Sequence, residues 1–186
     1  MQQRLVRAVC WLVASLAACA CNRSGLPPVA AAPRVTPPEG WIEVDLSQYG
    51  LMCHMPGYTR KETDDPTLVF RGEHYVCETP TALYVITVGK DDVETPGDLT
   101  ADEIKRELEI AGAKIESINT LRIQGLNALE ARYSITYEDM PGAEIHVIER
   151  MCKRGPAYYS FAVYGPKDIY EAPDTVAFFT NIRLIN

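Results

Sequence analysis

From Trp41 onward the chain changes hydrophobic period several times. Residues 41–46 alternate, with Ile42, Val44 and Leu46 on one side and Trp41, Glu43 and Asp45 on the other, as in a half-buried strand. Ser47-Gln48-Tyr49-Gly50 reads as a turn. A second strand over 51–55 is stopped by Pro56-Gly57, a strong turn pair. Residues 67–71 and 75–77 have the composition of short strands. Every position of 81–88 is apolar or β-branched, or close to it, which predicts a central strand covered on both faces.

The period then becomes helical. Thr100-Ala101-Asp102-Glu103 is a capping box, in which the threonine oxygen takes the amide of residue 103 and Glu103 reaches back. Leu99 and Ile104 are placed for a hydrophobic staple, and Ile104, Leu108 and Ala111 form one apolar stripe ended by Gly112. Four strand-like runs follow, at 114–123, 127–137, 144–153 and 157–164. The breaks Asp139-Met140-Pro141-Gly142 and Arg154-Gly155-Pro156 are short, so the last three runs are expected to pair as an antiparallel meander. Pro173-Asp174 opens a final helix with Val176, Phe179 and Ile182 expected inward. The pattern therefore predicts an α+β domain over 41–186: a mainly antiparallel twisted sheet flanked by helices.

Residues before the domain set its expected address. Arg4 and Arg7 precede a short apolar run, Val9 to Ala18, of about ten residues, whereas a spanning helix needs about 20. This is the layout of a signal peptide. Leu16-Ala17-Ala18-Cys19 resembles a bacterial lipobox, so 1–18 is expected to be removed and Cys19 to carry the lipid. Cys21 fits less well, because Ala18 stands three residues before it where the motif needs leucine. Ala20 after Cys19 leaves out the aspartate that retains such proteins at the inner membrane, which favours an outer-membrane anchor facing the periplasm. Residues 19–40, with Pro27, Pro28, Pro33, Pro37 and Pro38, read as a stiff, disordered tether.

Removing 1–18 leaves 16 basic against 25 acidic residues, a formal charge of −9. That opposes nucleic acid and anionic membrane surfaces as partners.

The order of elements resembles the PsbP-like superfamily, which includes photosystem extrinsic proteins, Mog-type Ran-binding proteins and the bacterial DcrB-like lipoproteins. The matching stretches are Tyr49-Gly50 through Pro56-Gly57-Tyr58, the capped helix after Thr100, and the closing meander followed by Phe178-Phe179. The resemblance implies an α/β/α sandwich. It implies no activity, since members of one fold do unrelated work.

The chemistry is sparse. Met52, Cys53, His54 and Met55 are soft or borderline metal donors, but strand alternation sends Met52 and His54 one way and Cys53 and Met55 the other. No Cys-x-x-Cys or His-x-x-x-His spacing occurs. His54 is the one residue of the stretch singled out as a metal ligand. Cys53 and Cys77 are expected to form a disulfide in an oxidising compartment, worth about 3 kcal/mol in the chain-entropy picture. Bridges to Cys152, and three buried thiols, are the alternatives. Ser134 and Ser160 lie inside strands without a Gly-x-Ser-x-Gly elbow, and His146 sits in a strand beside Val147. The carboxylates Asp64-Asp65 and Asp91-Asp92, with Glu94 and Asp98, read as solvated loops. Tyr159 and Phe161 are expected in the core, with Tyr158 and Tyr164 as exposed contact residues. The function expected is a non-enzymatic, cofactor-free envelope lipoprotein that binds another envelope protein or a small ligand. The alternative is a metal-handling or redox lipoprotein using Cys53, His54 and Cys77.

Overall fold

The structure, a computed structural model, describes residues 26–31, 35–63, 72–90, 99–136 and 143–186. The signal peptide, lipobox, Cys21, the strand expected at 67–71, the carboxylate clusters at 64–65 and 91–98, and the 139–142 turn lie outside the described residues.

The described residues form an α+β fold of ten strands and two helices. Strands β3 (Arg60–Thr63), β4 (Gly72–Glu78), β5 (Leu83–Lys90), β6 (Lys114–Ile123), β7 (Leu126–Thr136), β8 (Glu144–Arg154) and β9 (Ala157–Gly165) make a seven-stranded sheet in the order β3-β4-β5-β9-β8-β7-β6. Every pairing is antiparallel. Strands β1 (Ile42–Leu46), β2 (Leu51–Met55) and β10 (Arg183–Leu184) make a second sheet, β1-β2-β10. The expected meander is present as β7 to β9, with β6 added beside β7, and the strand expected at 81–88 is central, with Leu83 to Val88 all buried. Strand β3 has no counterpart in the sequence reading: Arg60-Lys61-Glu62-Thr63 is polar and stands at the sheet's edge.

Helix α1 (Ala101–Ile110) begins at the expected capping box. The Thr100 hydroxyl accepts from Glu103 N at 3.2 Å, and Glu103 takes the Thr100 amide at 3.0 Å. It ends at Gly112, φ +74°, where Ala113 N reaches back to Leu108 O. Ile104 and Leu108 pack onto one face of the large sheet with Val76, Val85, Tyr133, Tyr158 and Tyr164.

The opposite face is covered by the small sheet together with α2 (Pro173–Thr180), so this layer of the sandwich is part sheet and part helix. Pro173 starts α2 as expected, but the inward face differs. Thr175, Phe178, Phe179 and Ile182 are buried, while Val176 is 52 % exposed. The spacing i, i+3, i+4, i+7 from Thr175 puts both phenylalanines inward, and their larger apolar area decides the helix's rotation. Arg150, paired with Glu130 at 2.8 Å, stacks over the Phe179 ring at 4.3 Å and holds this layer to β8.

Part of the expected tether is docked. Leu26 and Val29 pack on the core. Arg154, buried at the end of β8, donates to Pro27 O, to Ile185 O at 2.8 Å and to Asn186 Oδ1 at 3.1 Å. Val29 N donates to Asn186 Oδ1 at 2.9 Å, and Ala30 N donates to Gln124 O at 3.0 Å. The Gln124 amide, oriented by its hydrogen-bond network, pairs with the backbone of Leu184. Gly50 makes room for this clamp. It sits at φ +69°, and a Cβ there would lie 2.9 Å from Arg154 Nη1. Polyproline composition removed donors from 26–31, but not the carbonyls that a buried guanidinium needs.

Arg154→Ala leaves those oxygens without their donor. Urea denaturation should show a loss of about 2–4 kcal/mol, and hydrogen exchange at the Val29 and Ala30 amides should speed up ahead of the sheet's.

Candidate functional site

The alternating hairpins divide the turns of the large sheet between two ends. The strap at 26–31, the Gln124-Gly125 turn and Gly155 share one end. The β4–β5 turn, the start of β8 and the end of β9 share the other. At this second end a cleft of about 350 Å³ opens. Glu78, Thr79, Pro80 and Thr81 form one wall, Glu144 and Ile145 the other, and Tyr164 lies between with Pro166. Glu78 is on β4 and Glu144 on β8, with β5 and β9 between. Three interstrand steps of about 4.8 Å put the two backbones about 14 Å apart.

One wall of the cleft belongs to a polar network built by a β-bulge. The β6–β7 register slips between Ile115 and Ser117, which leaves Glu116 as the extra residue. Its carboxylate lies 3.2 Å from His146 Nδ1. His146 Nε2 lies 3.7 Å from Glu144, and Glu144 accepts from Ser134 Oγ at 2.7 Å. The Ser134 hydrogen bond, backed by the charges of Lys114 and His146, holds the Glu144 carboxyl below its ordinary value. Tyr170 stands edge-on to His146 and donates to Tyr133 O at 3.2 Å, and burial beside Glu116 pushes its phenol up. Arg132 caps the other side of that ring at 5.3 Å. Ser134 gives its proton to a carboxylate, so this geometry does not pair a serine nucleophile with an imidazole base.

A second cluster is buried under α1. Glu149 is 5 % exposed and accepts from Tyr133 OH at 2.9 Å and from Ser160 Oγ at 2.5 Å. Burial pushes its carboxyl up, against the pull of those two donors. Glu107 of α1 faces the same region. Burial raises it from 4.5 to about 7, and its Oε2 has no hydrogen-bond partner.

The residues singled out in the sequence fall as follows. Tyr158 and Tyr164 are not exposed: they are 1 % and 2 % accessible and lie in the cluster with Ile104 and Leu108 of α1. Strand β9 is covered on both faces, so the face opposite Tyr159 and Phe161 is also core. Tyr159 and Phe161 stack in the core as expected, 6.4 Å apart. Tyr164 still floors the cleft.

Strand β2 alternates as expected, with Cys53 and Met55 inward and Met52 and His54 partly exposed. His54 meets Glu43 at 3.7 Å. Cys53, Cys77 and Cys152 are three buried thiols, and the expected Cys53–Cys77 bridge is not formed. Burial pushes all three up, Cys152 to about 12, which disfavours the reactive thiolate. Among the described residues, Cys53, His54 and Cys77 do not come together, and no three His, Cys, Asp or Glu side chains gather around a metal-sized space. Among those residues, too, no helix is long and apolar enough to cross a membrane.

Sequence reasoning missed Glu116 and Glu149. Glu116 had no signal, because a bulge is a property of two strands. Glu149 had one: strand alternation puts it on the same face as Val147 and Met151, an acid between two apolar residues.

The seven-stranded antiparallel sheet, with α1 on one face and the small sheet and α2 on the other, has the PsbP-like α+β fold. The solution structure of cyanobacterial PsbP (CyanoP) from Synechocystis sp. PCC 6803 superposes with a TM-score of 0.57 at 9 % identity, over 84 % of this chain and 98 % of that one. The crystal structure of PA94, a protein of unknown function from Pseudomonas aeruginosa, aligns at 18 % identity over 70 % of this chain and 87 % of that one, with a TM-score of 0.42. No protein-family model and no curated protein matches the chain.

Glu107 gives a pH test. Its folded value is raised, so between pH 4.5 and about 7 the folded state holds the extra proton and stability falls as pH rises. Glu107→Gln should flatten the denaturation midpoint across that window. At pH 8 it should stabilise the fold by about 1 kcal/mol, a figure reduced for the solvent reaching this half-buried group.

Proposed function

We propose that the protein is a lipid-anchored binding module of the bacterial envelope, held by Cys19 on the periplasmic side of the outer membrane and recognising its partner in the cleft between Glu78 and Glu144. The cleft is the observation that carries this reading. It combines an apolar floor, Tyr164 with Leu83, with a carboxylate on each wall. Such a lining suits an extended peptide segment or small ligand with apolar groups and a positive charge. Among the described residues the arginine and lysine partners of the two carboxylates are loose, Arg60 at 3.8 Å from Glu78 and Lys114 at 4.0 Å from Glu144, so a ligand's cation can replace them. The lipobox Leu16-Ala17-Ala18-Cys19 supports the anchor, since multiple acyl chains hold a protein firmly at a bilayer. The fold, shared with CyanoP, leaves the activity open.

Two measurements check the two halves of this proposal. Cys19→Ala should move the protein from the membrane to the soluble fraction; retention at the membrane would refute the anchor. A photo-crosslinking residue at Thr81 should give a discrete adduct in intact cells, lost when a basic competitor peptide is added to opened envelopes. The same residue at Arg122, at the opposite end, should give none. Identical adducts from both positions, or none from Thr81, would refute the cleft.

A further inference from the structure

The strap lies against one end of the molecule only. Leu26 approaches Gly50, Pro27 lies over Gly155, and Ala30 bonds to Gln124. The cleft is at the other end. We infer that this strap fixes the orientation of the domain on the bilayer, with the Gln124-Gly125 and Gly155 turns facing the headgroups and the cleft held away from them. The inference rests on Cys19 being the acylated residue.

Lengths decide it. Leu26 is seven steps along the chain from Cys19, and a fully extended chain reaches about 3.6 Å per step, so Leu26 stays within about 25 Å of the membrane surface. Strands β7 and β8 have 11 residues each. At about 3.3 Å per residue they span about 36 Å from one end to the other. An inverted domain would need Leu26 about 36 Å above the surface, which the leash cannot reach. A tether free from Cys19 to Gly40 would extend to about 75 Å and permit every orientation. The docking of 26–31 by Arg154, and not the anchor alone, therefore makes the choice.

The surface brought to the headgroups includes Arg122, Gly125, Asn127, Gly155 and Pro156, all exposed. With a formal charge of −9 on the processed chain, anionic lipid repels the domain as a whole. The leash imposes this contact, so it should be the same on a neutral bilayer.

The full-length lipidated chain, with Cys21→Ser, is placed in phosphatidylcholine vesicles that carry a headgroup-linked nitroxide quencher. Single fluorophores are attached through Arg122→Cys or Lys167→Cys; Cys53, Cys77 and Cys152 are buried from the reagent. Quenching should be several-fold stronger at position 122 than at 167, and unchanged when anionic lipid is added. An insert of about 20 Gly and Ser residues between Asn22 and Arg23, which leaves the domain untouched, restores the reach of a free tether and should abolish the difference. Arg154→Ala, if folded by circular dichroism, should do the same. Equal quenching at the two positions, stronger quenching at 167, or a difference that survives the insert would overturn the orientation. Mass spectrometry of the N-terminal peptide separates the causes. No acyl mass on Cys19 would overturn the anchor and the orientation together, whereas equal quenching with the acyl mass present would overturn the orientation alone.

Discussion

Strands β5 and β9 are buried on both faces, and the rest of the molecule answers to that. Ala157 to Tyr164 are each 2 % exposed or less. A strand in this position cannot be finished by one layer. Helix α1 supplies the first cover, and the small sheet with α2 supplies the second. The first and last segments of the domain meet in that second layer, where β10 pairs with β2. Polar groups caught between the covers must satisfy one another, as Glu149, Tyr133 and Ser160 do, because an unpaired buried group costs about 1–3 kcal/mol.

Where burial follows from one-dimensional pattern, the sequence was legible. The capping box, the Gly112 stop, the hairpin meander and the central position of 83–88 were all written in period and turn chemistry. The failures share a cause: each needed a second element. Val176 lost to Phe178 because turning both phenylalanines inward buries more apolar area. Tyr158 and Tyr164 were placed outside because only one face of β9 was taken as covered. The strap was read as free because Arg154, which holds it, lies more than a hundred residues away. Strand β3 is polar at an edge, where alternation carries no signal. The site was less legible than the fold. Tyr164 was singled out for the wrong reason, while Glu116 reaches His146 only through strand pairing and a bulge, and Glu144, two residues before His146 on β8, gains its Ser134 donor only by pairing with β7.

The same meander that builds the core sorts chemistry along the molecule. The β6–β7 and β8–β9 turns fall at one end, and the β4–β5 turn with the start of β8 falls at the other. Proline-rich backbone and the chain's last residues close the first end, and the cleft with the His146 network opens at the second. A short loop change at either end would alter one surface and leave the other untouched.

The bulge that delivers Glu116 also bears on solubility. Strand β6 is the last strand of its sheet, ten residues long, and an uninterrupted edge of that length invites another copy to add on by main-chain pairing. The slip between Ile115 and Ser117 breaks the regular ladder there, while Lys114 and Arg122 place a charge near each end of the strand. One irregularity thus both positions a carboxylate and guards the sheet against strand-to-strand aggregation.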